Sequence, residues 1–140
     1  MNRNFSRLFT PLLGLALVII TCVGAWLGPV TVASAETYTI RMGSDSGNLA
    51  FEPATLTVKP GDIVQWQNNK LPPHNVIFDG SNVPADTIDL VGELSHSKLM
   101  VKPNETYELE ITDALAPGEY AYFCAPHRGA GMVGKLIITG

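Results

Sequence analysis

From Thr37 onward the chain is a succession of short alternating runs, each stopped within a few positions by Gly, Pro, Asn or Asp. Tyr107-Glu108-Leu109-Glu110-Ile111 is the clearest, apolar at every second position and acidic between. A period of two puts the apolar set on one face of a strand and the acids on the other. Thr37 to Met42 and Ile63 to Gln67 repeat the pattern, and Thr55 to Val58 runs into the turn signal Lys59-Pro60-Gly61-Asp62. Asn75 to Phe78, Tyr120 to Cys124 and Val133 to Thr139 read as further strands. Many short strands between turn signals predict an all-β Greek-key β-sandwich. Pro84 to Met100 is the least strand-like stretch, and Ala85 to Val91 predicts one short helical turn.

The first 35 residues follow a different pattern. Arg3 and Arg7 precede the apolar run Leu12 to Ile20, and Val32-Ala33-Ser34-Ala35 closes the segment before Glu36. A basic start, an apolar centre and an A-x-A end predict a signal peptide over 1–35, cleaved after Ala35. The rival is an uncleaved anchor, since Leu8 to Leu27 is long enough to span a bilayer. Lipidation at Cys22 fits less well, because the residues after it stay apolar. Cleavage leaves a single domain, 36–140, with seven cations against thirteen acids, a formal charge of −6. Such a balance argues against a nucleic-acid partner, which would select a basic surface.

That domain keeps one cysteine, Cys124. A lone thiol in an exported protein has no disulfide partner, so burial or a bound metal must protect it. Cys124 opens the segment Cys124-Ala125-Pro126-His127-Arg128-Gly129-Ala130-Gly131-Met132, a Cys-x2-His-x4-Met spacing. Gly129 and Gly131 give the backbone freedom for a tight return, which would turn thiolate, imidazole and thioether toward one centre. His74, after Pro72-Pro73, could complete the set. Alone, Met132 would more often be a core residue and Cys124 a small buried hydrophobe. Together with two histidines they match the blue-copper arrangement, a trigonal two-histidine, one-cysteine site with a weak axial methionine. Structural zinc uses Cys and His without Met. A copper enzyme would need a second, open site, and His96, set among polar neighbours and expected at the surface, is too little to build one.

These residues resemble the plastocyanin family of cupredoxins. The likeness runs over nearly all of 37–140 and includes Asn48-Leu49-Ala50-Phe51-Glu52-Pro53, Pro73-His74-Asn75-Val76 and Cys124 to Lys135. Pseudoazurins share the ligand spacing, but Gly129-Ala130-Gly131-Met132 is similar to plastocyanins. The resemblance implies one copper per chain, held by His74, Cys124, His127 and Met132, with Asn75 bracing the ligand loops. It implies a monomeric one-electron carrier, not an enzyme, running from cytochrome f of the cytochrome b6f complex to photosystem I through transient encounters. Its place would be the thylakoid lumen, peripheral to the membrane, or the periplasm. The short leader is similar to a prokaryotic export signal and suggests a cyanobacterial source. The alternatives are a pseudoazurin-like periplasmic donor and a copper storage or delivery protein.

The resemblance also implies a flat apolar face around His127, here Leu49, Leu71, Pro72, Pro73, Pro126 and Ala130, with Arg128 beside it as a partner contact. Two departures stand out. Phe123 occupies the position before the cysteine where the family usually has Tyr, and Asp79, Asp86, Asp89 and Glu93 are scattered rather than clustered.

Overall fold

Residues 34–140 are described by a computed structural model, and the leader's basic start and apolar run lie outside the described residues. The alternating runs pair into two sheets. The first holds β1 (Thr37–Met42), β2 (Phe51–Glu52), β4 (Ile63–Asn68) and β7 (Thr106–Glu110), in the order β2-β1-β4-β7. The second holds β3 (Thr55–Val58), β5 (His74–Phe78), β6 (His96–Met100), β8 (Gly118–Phe123) and β9 (Val133–Ile138), in the order β3-β9-β8-β5-β6. β1 runs parallel to β4 and β3 parallel to β9, while the other pairs are antiparallel. A parallel neighbour cannot be reached by a tight hairpin, so the chain crosses between sheets, as a sandwich requires.

The inner faces meet in an aromatic core. Tyr122 sets its ring edge-on to Phe51 and Trp66, with centroids 4.8 and 5.4 Å away, and Trp66 stacks on Tyr107 at 5.5 Å. Ile40, Met42, Val64, Val76 and Leu136 fill the space around them, all buried. Burying each such side chain contributes about 1.5–3 kcal/mol.

The structure adds to the expected secondary structure. The segment from Ala85 holds a 3₁₀ helix to Leu90 and one α-turn, Val91–Leu94, and then a full strand, β6. A second 3₁₀ helix covers Ala125–Ala130, where the sequence had suggested only a glycine-rich loop. There are thus three short helical segments among the described residues in place of one.

Candidate metal centre

His74 starts β5, and an irregularity in the β5–β6 pairing lies between His74 and Val76. Alternation fails there: His74, Asn75 and Val76 are buried in succession. A bulge re-aims side chains in this way, and here it turns both a histidine and the following asparagine inward. His74 Nε2 donates to the carbonyl of Lys70 at 2.7 Å. A carbonyl can only accept, so Nε2 carries the proton and Nδ1 presents its lone pair.

Cys124 follows the last residue of β8 and is fully buried. The 3₁₀ turn Ala125–Ala130 brings the chain back over it. His127 N–H donates to the Cys124 carbonyl at 3.1 Å, Met132 N–H to the His127 carbonyl at 3.2 Å, and Cys124 N–H to the Met132 carbonyl at 3.1 Å. Gly131 closes the turn at φ 83°, a left-handed conformation that favours glycine.

Three donor atoms converge. Cys124 Sγ lies 3.6 Å from His74 Nδ1 and 3.5 Å from His127 Nδ1, and the two nitrogens are 3.2 Å apart. A point equidistant from these three atoms is about 2 Å from each, close to a metal–imidazole bond and a little short of a metal–thiolate one. As mere hydrogen-bonding groups they fit badly, since His74 Nδ1 has no proton to offer and faces a second ring nitrogen. A soft thiolate and two imidazoles suit a copper ion.

The electrostatics agree. Burial pushes the His74 pKa down, with the Lys70 carbonyl opposing and His127 adding to it, so the ring is neutral and able to ligate. Burial pushes the Cys124 thiol up, and the backbone N–H groups of Asn75 and His127 only partly offset this. A cation is what would make thiolate the favoured form in so buried a place.

Asn75 supplies the frame. Its Oδ1 accepts from Ala125 N–H at 2.8 Å, and its Nδ2 donates to the Ser97 carbonyl at 3.1 Å, tying the cysteine loop to β6. Met132 is buried at the end of the same loop. The structure thus gathers His74, Cys124 and His127 at one point and laces Met132's backbone to the last two. Sequence reasoning missed Lys70, whose carbonyl fixes the His74 tautomer; a main-chain group leaves no signal in residue type. His96 departs from its expected surface place, being half-buried with its ring stacked on Tyr107 at 4.7 Å. Arg128, expected to reach outward, bonds Asp79 at 3.3 Å and lies over the Phe123 ring at 3.9 Å.

Residues 38–139 match the family described as copper binding proteins, plastocyanin/azurin family. The chain belongs to that family. It is 44% identical over 124 residues to a plastocyanin of Nostoc punctiforme, covering 89% of each chain. It is 51% identical over 108 residues to a Synechococcus plastocyanin, covering 77% of each. Among solved structures it resembles oxidised plastocyanin from Dryopteris crassirhizoma, with a TM-score of 0.63 and 25% identity over 73% of this chain and all of that one. A Sinorhizobium pseudoazurin is similar too, with a TM-score of 0.52 and 29% identity over 75% of each chain. As a plastocyanin/azurin family member with this fold and this cluster, the protein is a blue-copper electron carrier.

Proposed function

We propose that His74 Nδ1, Cys124 Sγ, His127 Nδ1 and the Met132 thioether would hold one copper, and that the protein carries single electrons from cytochrome f to photosystem I. The observation that carries this is the triangle of 3.2, 3.5 and 3.6 Å. When bound, copper supplies a one-electron Cu(I)/Cu(II) couple. The chain's part is to hold a geometry that suits both states. Asn75 and the Lys70 carbonyl fix two ligands from behind, and the crossed hydrogen bonds of Cys124, His127 and Met132 fix the loop. His127 is partly exposed beside Pro126 and Ala130, which are open to solvent, and so forms the port for electrons. A small apolar contact of this kind favours quick release of a partner.

Residues 1–35 act in this reading as a cleavable export signal and 36–140 as the copper domain, monomeric and lumenal, without enzymatic activity. The three-part leader pattern and the curated plastocyanin relatives support it. Titration of the protein with Cu(II), followed by visible absorption and electron paramagnetic resonance, tests the site. An intense blue thiolate-to-copper band with narrow hyperfine splitting is expected at one copper per chain, lost in Cys124→Ser and altered in Met132→Ala. A pale, ordinary cupric spectrum would sink the reading. Rapid stripping by a Cu(I) chelator with no reversible redox wave would instead support copper delivery.

A further inference from the structure

Thirteen acids lie among the described residues, and Asp62 is the one that is buried, its side chain only 1% exposed. It stands at a corner where three strands meet. β1 and β4 begin side by side there, and β7 ends against β4. Ile63 N–H donates to the Glu36 carbonyl and Ile111 N–H to the Asp62 carbonyl, each at 2.8 Å. A buried carboxylate needs donors around it. Asp62 Oδ2 accepts from Lys59 N–H at 3.0 Å, and Oδ1 accepts from Lys59 Nζ at 2.9 Å and from Glu36 N–H at 3.2 Å.

The Glu36 donor differs from the others. Its nitrogen belongs to the Ala35–Glu36 peptide bond, where the leader reading places cleavage by a signal peptidase. Ser34 and Ala35 are exposed and lie outside any helix or strand, so that bond is open to a peptidase. Hydrolysis adds one water across it. The water oxygen goes to a new Ala35 carboxylate, and the Glu36 nitrogen leaves as an α-amine, which is mostly protonated at neutral pH. An amide N–H thus becomes an ammonium while keeping its place beside Asp62.

Charge-assisted hydrogen bonds are roughly twice as strong as neutral ones. The Glu36 carboxylate does not compete for the new charge, because it accepts the Tyr38 hydroxyl. Lys59 is the opposing cation. Its side chain is 40% exposed and can keep its head in water, whereas Glu36 is anchored through its carbonyl to β4. A carboxylate offers about four acceptor sites, so both cations fit.

We infer that Asp62 is the binding site for the α-ammonium of the mature chain, so that removal of the leader closes an ion pair pinning the start of β1 to the β4–β7 corner. Processing then adds stability to the domain once it has been exported, and the uncleaved chain lacks this contribution. The inference rests on the leader reading and gives cleavage a structural consequence. Asn68, at the other end of β4, bonds the carbonyl of Met100, the partner of His74. At about 3.3 Å per residue, Asp62 is some 20 Å further back, too far to disturb the metal ligands.

The experiment starts from the full chain, exported and processed by a bacterial host and loaded with copper. Mass spectrometry should find Glu36 as the first residue; an uncleaved chain or a different first residue overturns the leader reading. A second sample carries an acetyl group on the Glu36 nitrogen, installed by semisynthesis. The acetyl group restores the carbonyl and Cα of Ala35 and removes only the charge. It should leave the blue spectrum intact and lower the melting temperature by about 4 °C or more. In Asp62→Asn the acetyl group should make no difference. In Lys59→Gln, which leaves the ammonium as the sole cation on Asp62, its effect should grow, and this variant decides the matter if Asp62→Asn does not fold. With Glu36 confirmed as the first residue, equal melting temperatures of the free and acetylated proteins would overturn this inference alone. The same acetyl effect with and without the Asp62 carboxylate would do so too, as would an effect that shrinks in Lys59→Gln.

Discussion

Gly43 shows how a single position distant from the metal can set a ligand. It has φ 83°, and a Cβ built there would lie 2.1 Å from the carbonyl oxygen of Lys70, the atom that accepts from His74 Nε2. Gly43→Ala should therefore strain the backbone and push that carbonyl away, costing about 2 kcal/mol or more. Thermal unfolding should show the loss, and the electron paramagnetic resonance of the copper-loaded variant should shift, which destabilisation elsewhere would not cause. Asp62 works differently. Burial alone would raise its pKa, but the Lys59 ammonium at 2.9 Å, with the N–H groups of Lys59 and Glu36, holds it below the ordinary 3.8. Because the unfolded chain then binds the proton more readily, this contribution is complete above pH 3.8 and is lost as pH falls through that value toward the lower folded one. Urea unfolding at stepped pH should show stability falling across this range, with a shallower fall in Asp62→Asn.

At the scale of elements, β8 joins core to site. Alternation sends Tyr120, Tyr122 and Cys124 inward, while Phe123 points the other way to meet Arg128. Tyr122 packs its ring against the backbone of Gly134 in β9, where a Cβ would come 2.4 Å from Cζ. Its hydroxyl is buried without a hydrogen-bond partner among the described residues. Burial drives its pKa far up, so it stays neutral at any working pH. Tyr122→Phe removes an unsatisfied polar atom and keeps the ring, so it should stabilise the protein by up to about 1 kcal/mol without changing the copper spectrum. Chemical denaturation of both forms checks this; a loss of stability instead would mean that the hydroxyl has a partner, such as the indole N–H of Trp66, whose ring lies edge-on to Tyr122.

Across the whole molecule, the site is a cross-link. His74 lies 50 residues from Cys124 and 53 from His127, so a bound ion ties the β5–β6 edge to the far end of β8. The unfolded chain would have to close those loops to bind with the same geometry. Copper removal should lower the melting temperature while leaving the fold, because the aromatic core and the Asn75 bridges need no metal. At free copper near 100 times Kd the difference is about 2.7 kcal/mol, or more than ~10 °C for a domain of this size. Calorimetry on metal-free and loaded protein measures it, and equal melting temperatures would contradict specific binding to the folded state.

Residue order by itself was enough for the strands with a clean period of two, for the turn at Pro60-Gly61, and for the candidate ligands. Those signals are local: alternation, a dipeptide, a spacing of three and five positions. β2 escaped because two residues carry no period, and β6 because Ser97, Lys98 and Leu99 are all exposed on an edge strand, so no alternation marks it. Only the tertiary structure could place Lys70's carbonyl on His74 or stack His96 on Tyr107. It alone paired Arg128 with Asp79. Each of these depends on which segments the sandwich brings side by side. Two sheets crossing above a buried core decide that, and neighbours along the chain do not.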